Sequence, residues 1–313
     1  MVRAVVFPGQ GSQIIGMAKD FYNNFKVSRD VFQEVDEALN KKLSDVIFNG
    51  PMEELTITSN AQPAIMVACM AIVRALEQEL GFAISKLCSF TAGHSLGEYT
   101  ALCAANCIRL DETARLLKAR GDAFQKAGEK NPGTMAVIGA PLEIVENIVK
   151  EAVLDGEVLE VTNDNTSEQV VISGNVGSVD NALEIAKRDS IRKVKKLAVS
   201  GAFHSKLMEP AVEIMKNVLE HVEIHEPEIS VLSNYSSVVE NKSEVKENLI
   251  KQIVNKVRWR EIVLNMEKLG VKQYVEIGTG RILSNMIGKI CPAAETMAIN
   301  NVESMKDFIG SVR

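Results

Sequence analysis

Residues 93–97 read Gly93-His94-Ser95-Leu96-Gly97, a glycine-x-serine-x-glycine run. An apolar run at 87–92 precedes it, and residues 98–107, of helical composition, follow it. That is the strand–turn–helix context of a nucleophile elbow. Glycine on either side lets backbone approach where a Cβ would collide. The serine then stands at a helix N-terminus, whose free N–H groups favour developing negative charge. The chemistry is nucleophilic attack by a serine hydroxyl, which needs a base.

Four histidines are available: His94, His204, His221 and His225. His94 adjoins the serine in the elbow, where a chain neighbour points elsewhere. His221 and His225 lie four apart before Pro227, on an acidic, solvated-looking helix end with no third metal ligand evident, so no metal site is read there. His204 follows Ser200-Gly201-Ala202-Phe203 and lies in a loop after an apolar strand pattern. A loop histidine is the better base candidate, with a structural histidine as the alternative. Phe7-Pro8-Gly9-Gln10-Gly11-Ser12-Gln13 closes the first strand pattern. A dinucleotide loop would need glycine at Ile14, and no Walker lysine follows. A glycine-rich turn at a strand end can instead aim backbone N–H groups at an oxyanion, which makes Gln10 a donor candidate.

The elements that must position these residues are legible as periodicity. Apolar runs at 4–7, 87–92, 231–232 and 273–277 alternate with helical patterns, and so predict crossover connections and a mainly parallel sheet. Residues 63–80 predict a buried helix packed on it. From Gly133 the rhythm changes: strand 134–138, a helix opening at Pro141 and running to about 153, strand 158–162, strand 169–173, helix 179–188, strand 193–198. The order βαββαβ is ferredoxin-like. Because the larger pattern resumes afterwards, 131–198 reads as a subdomain inserted into a core of 1–130 and 199–313, with a ligand cleft expected between them.

The 313 residues suit two units at roughly 150 residues each. Apolar residues make up 46% and charged residues 24%, enough to bury a sizeable core. A net charge of -6, with no basic block, argues against nucleic acid and anionic membrane as partners. Five scattered cysteines suit a reducing compartment. No signal peptide and no apolar stretch of about 18 residues is read, so the expectation is cytoplasmic, with no membrane span. No exposed apolar seam is legible, and a monomer is expected.

Taken together, Phe-Pro-Gly-Gln-Gly-Ser-Gln at 7–13, Gly-His-Ser-Leu-Gly-Glu-Tyr at 93–99 and Phe-His-Ser at 203–205 resemble the malonyl-CoA:acyl carrier protein transacylase family. The likeness extends through Asn60-Ala61-Gln62-Pro63-Ala64, Arg120 in Lys118-Ala119-Arg120-Gly121, and Val275-Glu276-Ile277-Gly278-Thr279-Gly280. The resemblance implies an α/β-hydrolase-like core with the ferredoxin-like insertion. It also implies a ping-pong transfer of malonyl from malonyl-CoA, through a serine ester, to the phosphopantetheine thiol of acyl carrier protein, without a cofactor. By the same resemblance Ser95 is the nucleophile, His204 the base and Arg120 the partner of the malonyl carboxylate. The backbone N–H groups of Gln10 and Leu96 form the oxyanion hole, and the backbone carbonyl of Gln252 orients the histidine. Phe203 resembles the malonyl-selective pattern of related acyltransferase domains. From its surroundings alone, beside Arg115 and Lys118, Arg120 reads as a solvated helix residue. The alternative activity is a serine hydrolase or thioesterase, which would need an acid between serine and histidine in chain order. Asp164, Asp180 and Asp189 are candidates, all inside the inserted unit. A stand-alone chain favours fatty-acid synthesis, and the basic run 188–196 is one candidate surface for the acidic carrier protein.

Overall fold

Strand β1 (Val2–Phe7) is apolar on both faces, and Ala4 to Phe7 are completely buried. That is what a central parallel strand covered by helices on both sides requires. In the computed structural model, which describes residues 1–199 and 201–312, β1 is followed by α1 (Lys19–Asn24), α2 (Lys26–Leu39), α3 (Leu43–Asn49), α4 (Met52–Thr56) and the long α5 (Thr58–Leu80). Next come β2 (Phe90–Gly93), α6 (Leu96–Ala104) and α7 (Leu110–Lys130). The middle of the chain gives β3 (Thr134–Ile138), α8 (Leu142–Ala152), β4 (Leu159–Thr166), β5 (Gln169–Gly174), α9 (Val176–Arg188) and β6 (Val194–Lys196). The remainder is α10 (Glu209–Glu220), β7 (Ser230–Val231), α11 (Val245–Gln252), α12 (Trp259–Lys268), β8 (Val271–Ile277), α13 (Ile282–Ile290), β9 (Glu295–Ile299) and α14 (Val302–Val312). Ser200, in the stretch leading to His204, and Arg313, the last residue expected in the core, lie outside the described residues.

The first sheet has the order β7-β2-β1-β8-β9, and every pair in it is parallel. The second has the order β4-β5-β3-β6 and is antiparallel throughout. With helices α8 and α9 its chain order is βαββαβ, so the expected α/β architecture of a parallel core and a ferredoxin-like sheet is present. The second sheet is tied to the rest of the chain through β4, which meets the segment before α12 and the start of that helix. Val257 N–H donates to Thr162 O at 2.9 Å, Asp164 N–H donates to Val257 O at 3.0 Å, and buried Asp164 takes a two-pronged ion pair from Arg260.

Several boundaries differ from the periodicity reading for local reasons. Residues 84–88 close a helical turn, with Cys88 N–H bonded to Ile84 O, so β2 begins only at Phe90. Helix α5 starts five residues before Pro63, which therefore sits inside it. Edge strand β9 went unread because only Ile299 of its five residues is buried. The expectation that no stretch could span a membrane is corrected: α5 is long and apolar enough by length and composition, though 94% of that window is buried inside the protein. An all-round apolar helix here is a core helix, packed against α2 and α7.

Candidate active site

The loops after β1 and β2, neighbours in the parallel sheet, meet at the carboxyl ends of their strands, where open α/β folds build sites. Ser95 is held there at φ 56° and ψ -111°, a conformation non-glycine residues seldom adopt. Glycine makes the turn possible. A Cβ on Gly93 would lie 1.9 Å from the Gly97 carbonyl, and one on Gly97 would lie 2.3 Å from Phe7 O. The strained turn is clamped from outside: Ser95 N–H donates to Asn234 Oδ1 at 2.7 Å, and Gln252 Nε2 donates to Ser95 O at 3.0 Å. Asn234 Nδ2 also donates to Gly93 O at 2.7 Å.

Ser95 Oγ lies 2.7 Å from His204 Nε2, and His204 Nδ1 lies 2.8 Å from the main-chain oxygen of Gln252. A carbonyl can only accept, so Nδ1 carries the proton and Nε2 is free to take one from the serine. His204 is itself at φ 61° and only 4% exposed. Burial, and next the positive charge of Arg120, push its imidazole down to about 3, so it is neutral at physiological pH.

Arg120 is 1% exposed, not a solvated helix residue. Its Nη1 donates to Gln62 Oε1 at 2.7 Å, and its Nη2 donates to Ser95 Oγ at 3.1 Å and to Gln252 Oε1 at 2.9 Å. The guanidinium stacks 4.3 Å from the Phe124 ring centroid, and the Tyr99 centroid is 5.5 Å away. Phe203 packs against the same Phe124 ring, with 5.1 Å between centroids. Leu96 opens α6, so its N–H has no partner within the helix. Gly9 would place a Cβ 2.6 Å from His94 O, which shows how tightly the Gln10 loop runs against the elbow. Gln10 Nε2 reaches Thr58 Oγ1 at 3.5 Å, and beside it a cavity of about 730 Å³ is lined by Gln10, Thr58, Gln125 and Val199.

Other candidates lie elsewhere. His94 turns away from the serine, with Nε2 2.8 Å from Asn165 Oδ1 on β4. Asp164 pairs with Arg260, Asp180 with Lys196 and Asp189 with Arg188, so none of the three reaches His204. His225 is 3.9 Å from Glu223, and among the described residues no group of three or more metal-ligating side chains occurs. Sequence reasoning missed Gln62, Glu98 and Asn234. Gln62 and Glu98 lay inside quoted motifs, whereas Asn234 had no signal of its own. Glu98 is fully buried one turn after Ser95, and burial pushes its carboxyl up to about 7.

The chain matches the family described as acyl transferase domain over residues 4–298. It is 37% identical over 312 residues to a malonyl CoA-acyl carrier protein transacylase of Bacillus subtilis (strain 168), covering 99% of this chain and 97% of that protein. Among solved structures, an acyl-carrier-protein-S-malonyltransferase from Bartonella henselae superposes with a TM-score of 0.95 at 40% identity, over 100% of this chain and 99% of that one. A malonyl-transacylase in complex with a type II PKS acyl-carrier protein superposes with a TM-score of 0.94 at 35% identity, over 99% of this chain and 100% of that one.

Proposed function

The chain belongs to the acyl transferase domain family, and on that premise we propose that it moves malonyl from malonyl-CoA to the phosphopantetheine thiol of acyl carrier protein. The observation that carries this reading is a buried arginine whose Nη2 lies 3.1 Å from the nucleophile Ser95 Oγ, on a serine that also faces a neutral histidine. A guanidinium pairs a carboxylate in two parallel hydrogen bonds, and malonyl carries one at the far end from its thioester, where acetyl has none.

In the first half-reaction His204 Nε2 takes the Ser95 hydroxyl proton as Oγ bonds to the thioester carbon. The Gln10 and Leu96 N–H groups and the α6 N-terminus bear the negative charge on the carbonyl oxygen. The carbon–sulfur bond breaks, the thiolate of coenzyme A takes the proton back from His204, and malonyl remains on Ser95 as an ester. In the second half-reaction the carrier thiol gives its proton to His204 and attacks the ester, and the Ser95 oxygen leaves with that proton. A main-chain carbonyl at Gln252 suffices to fix the imidazole tautomer. It leaves no acid for a hydrolase triad, which favours transfer over the thioesterase reading. Phe203, through Phe124, limits the space beside the acyl group and favours malonyl over branched groups.

The reaction needs no cofactor or metal. We assign residues 131–198 to the inserted subdomain and 1–130 with 199–313 to the catalytic core, acting as a cytoplasmic monomer in extender supply for fatty-acid synthesis. A mass spectrum after incubation with malonyl-CoA tests the reading. One malonyl group on the Ser95 peptide, absent from Ser95→Ala, is expected; a label elsewhere, or undiminished label in that variant, overturns it.

A further inference from the structure

Glu98 touches none of the reacting groups, yet it is fully buried at the centre of the hydrogen bonds that hold them. Its Oε1 accepts the Asn234 N–H at 3.1 Å, and its Oε2 accepts Gln252 Nε2. The Gln252 amide thus lies between a carboxylate and a guanidinium, its Oε1 accepting from Arg120 Nη2 at 2.9 Å. An ionised carboxylate only accepts and a guanidinium only donates. One orientation of the amide satisfies both, and the flipped one sets donor against donor and acceptor against acceptor.

We propose that Glu98 is a positioning residue for substrate selection: its carboxylate fixes the Gln252 amide with the carbonyl toward Arg120, and thereby sets the guanidinium that receives the substrate carboxylate. This rests on the reading of Arg120 given above. The main-chain N–H of Asn234 donates to one oxygen of residue 98 and the Gln252 amide to the other, with the Ser233 hydroxyl as a third partner. Only an ionised carboxylate presents acceptors alone on both oxygens. A glutamine at 98, or a protonated Glu98, must turn a donor toward one of them. The Asn234 N–H is fixed in the main chain, so the Gln252 side chain is the group that yields, and Arg120 loses its acceptor.

The charged groups facing Glu98 are Arg120 from α7 and, in the segment after β7, Glu240, which is 3% exposed. Its neutral hydrogen-bond partners are Gln252 of α11 and Asn234 and Ser233 beyond β7. Burial favours the protonated carboxyl of Glu98, the hydrogen bonds from Gln252, Asn234 and Ser233 and then the charge of Arg120 favour the ionised one, and burial together with the Glu98 carboxylate holds Glu240 in its protonated form.

The test is kcat/KM for malonyl-CoA and for acetyl-CoA in the wild-type chain, Glu98→Gln, Gln252→Leu, their double variant and Arg120→Ala. Glu98→Gln is expected to lower the malonyl-to-acetyl ratio by about tenfold or more, tenfold being the lower end of the worth of one hydrogen bond to a charged group. The double variant should lower the ratio no further than Gln252→Leu, because both act through one link. Equal losses for the two substrates, an unchanged ratio or additive effects each overturn the proposal. If Arg120→Ala leaves the ratio unchanged, the carboxylate reading itself fails; if Arg120→Ala collapses the ratio and Glu98→Gln preserves it, the Glu98 proposal alone fails. Should Glu98→Gln not fold, the wild-type ratio against pH decides. It should fall as pH drops through about 7, where Glu98 takes a proton, and a ratio flat across that range overturns the proposal.

Discussion

Replacing Arg120 by alanine separates recognition from reaction. The side chain is 1% exposed and gives three hydrogen bonds, to Gln62, Ser95 Oγ and Gln252. Without it a malonyl carboxylate would be desolvated with no cation beside it, a loss of ~2–5 kcal/mol for a buried charge pair cut on one side. That converts to a fall of roughly 30- to 5,000-fold in the malonyl-to-acetyl ratio of kcat/KM. Acetyl has no carboxylate to strand, so it gains relative to malonyl. A second effect has a fixed sign. Arg120 is, after burial, the largest cause holding His204 down to about 3, because a cation beside an imidazole disfavours its protonation. Deleting the cation must raise the imidazole, and the acid limb of kcat/KM moves to higher pH for both substrates. Arg120→Lys keeps the charge and loses the fork, so it should hold the acid limb low while restoring the malonyl ratio only in part. The assay is steady-state transfer from each thioester across pH. A ratio unchanged in Arg120→Ala, or fully restored by lysine, would refute the reasoning.

Three further outcomes are expected. His204→Ala should slow acylation by malonyl-CoA and by acetyl-CoA about 10²-fold or more, read as the rate of acyl-enzyme formation; an Asp or Glu variant matching that loss while His204→Ala stays near wild type would point to a hydrolase-type triad. Asn234→Ala removes the partners of Ser95 N–H and Gly93 O, both 2.7 Å away; it should cost ~1–3 kcal/mol in thermal or denaturant unfolding and lower transfer of malonyl and acetyl alike. Gly97→Ala forces a methyl to 2.3 Å from Phe7 O; overpacking of ~1–3 kcal/mol or more should appear as a lowered Tm and, because the elbow must shift, as lost acylation of Ser95.

Much of the architecture was readable because it rests on periodicity. Residues 4–7 are apolar throughout and Tyr274, Val275 and Ile277 mark the second central strand, since β1 and β8 lie inside a parallel sheet, and the βαββαβ order of 134–196 shows as short apolar strands separated by two helical patterns. The elements that escaped lack that signature. Edge strand β9 is half exposed, and the short helices α1, α3 and α4 carry one, three and one buried apolar residues. The start of β2 shows the opposite limit: Leu87 and Cys88 are as apolar as a strand, but a helical turn at 84–88 claims their backbone first.

The site divides along a similar line. Ser95 and its flanking glycines are local, for the elbow is a five-residue steric problem that leaves its trace in five residues. His204 was reachable by elimination among four histidines. Arg120 was not: its own helix places it beside Arg115 and Lys118, and its long-range partners Gln62, Tyr99 and Gln252, with Phe124 one turn on in the same helix, make it a buried cation. The supporting shell is less local still. Asn234 reaches Ser95 across 139 positions, Gln252 reaches Glu98 across 154, and neither pair follows any period. What selects these residues is the matching of donors to acceptors in a place without water. Glu98 must accept because Gln252 donates, Gln252 must accept because Arg120 only donates, and on the reading proposed above the substrate carboxylate completes the series. Such complementarity is a property of the assembled site, so a single residue in the chain carries no mark of it until its partners stand beside it.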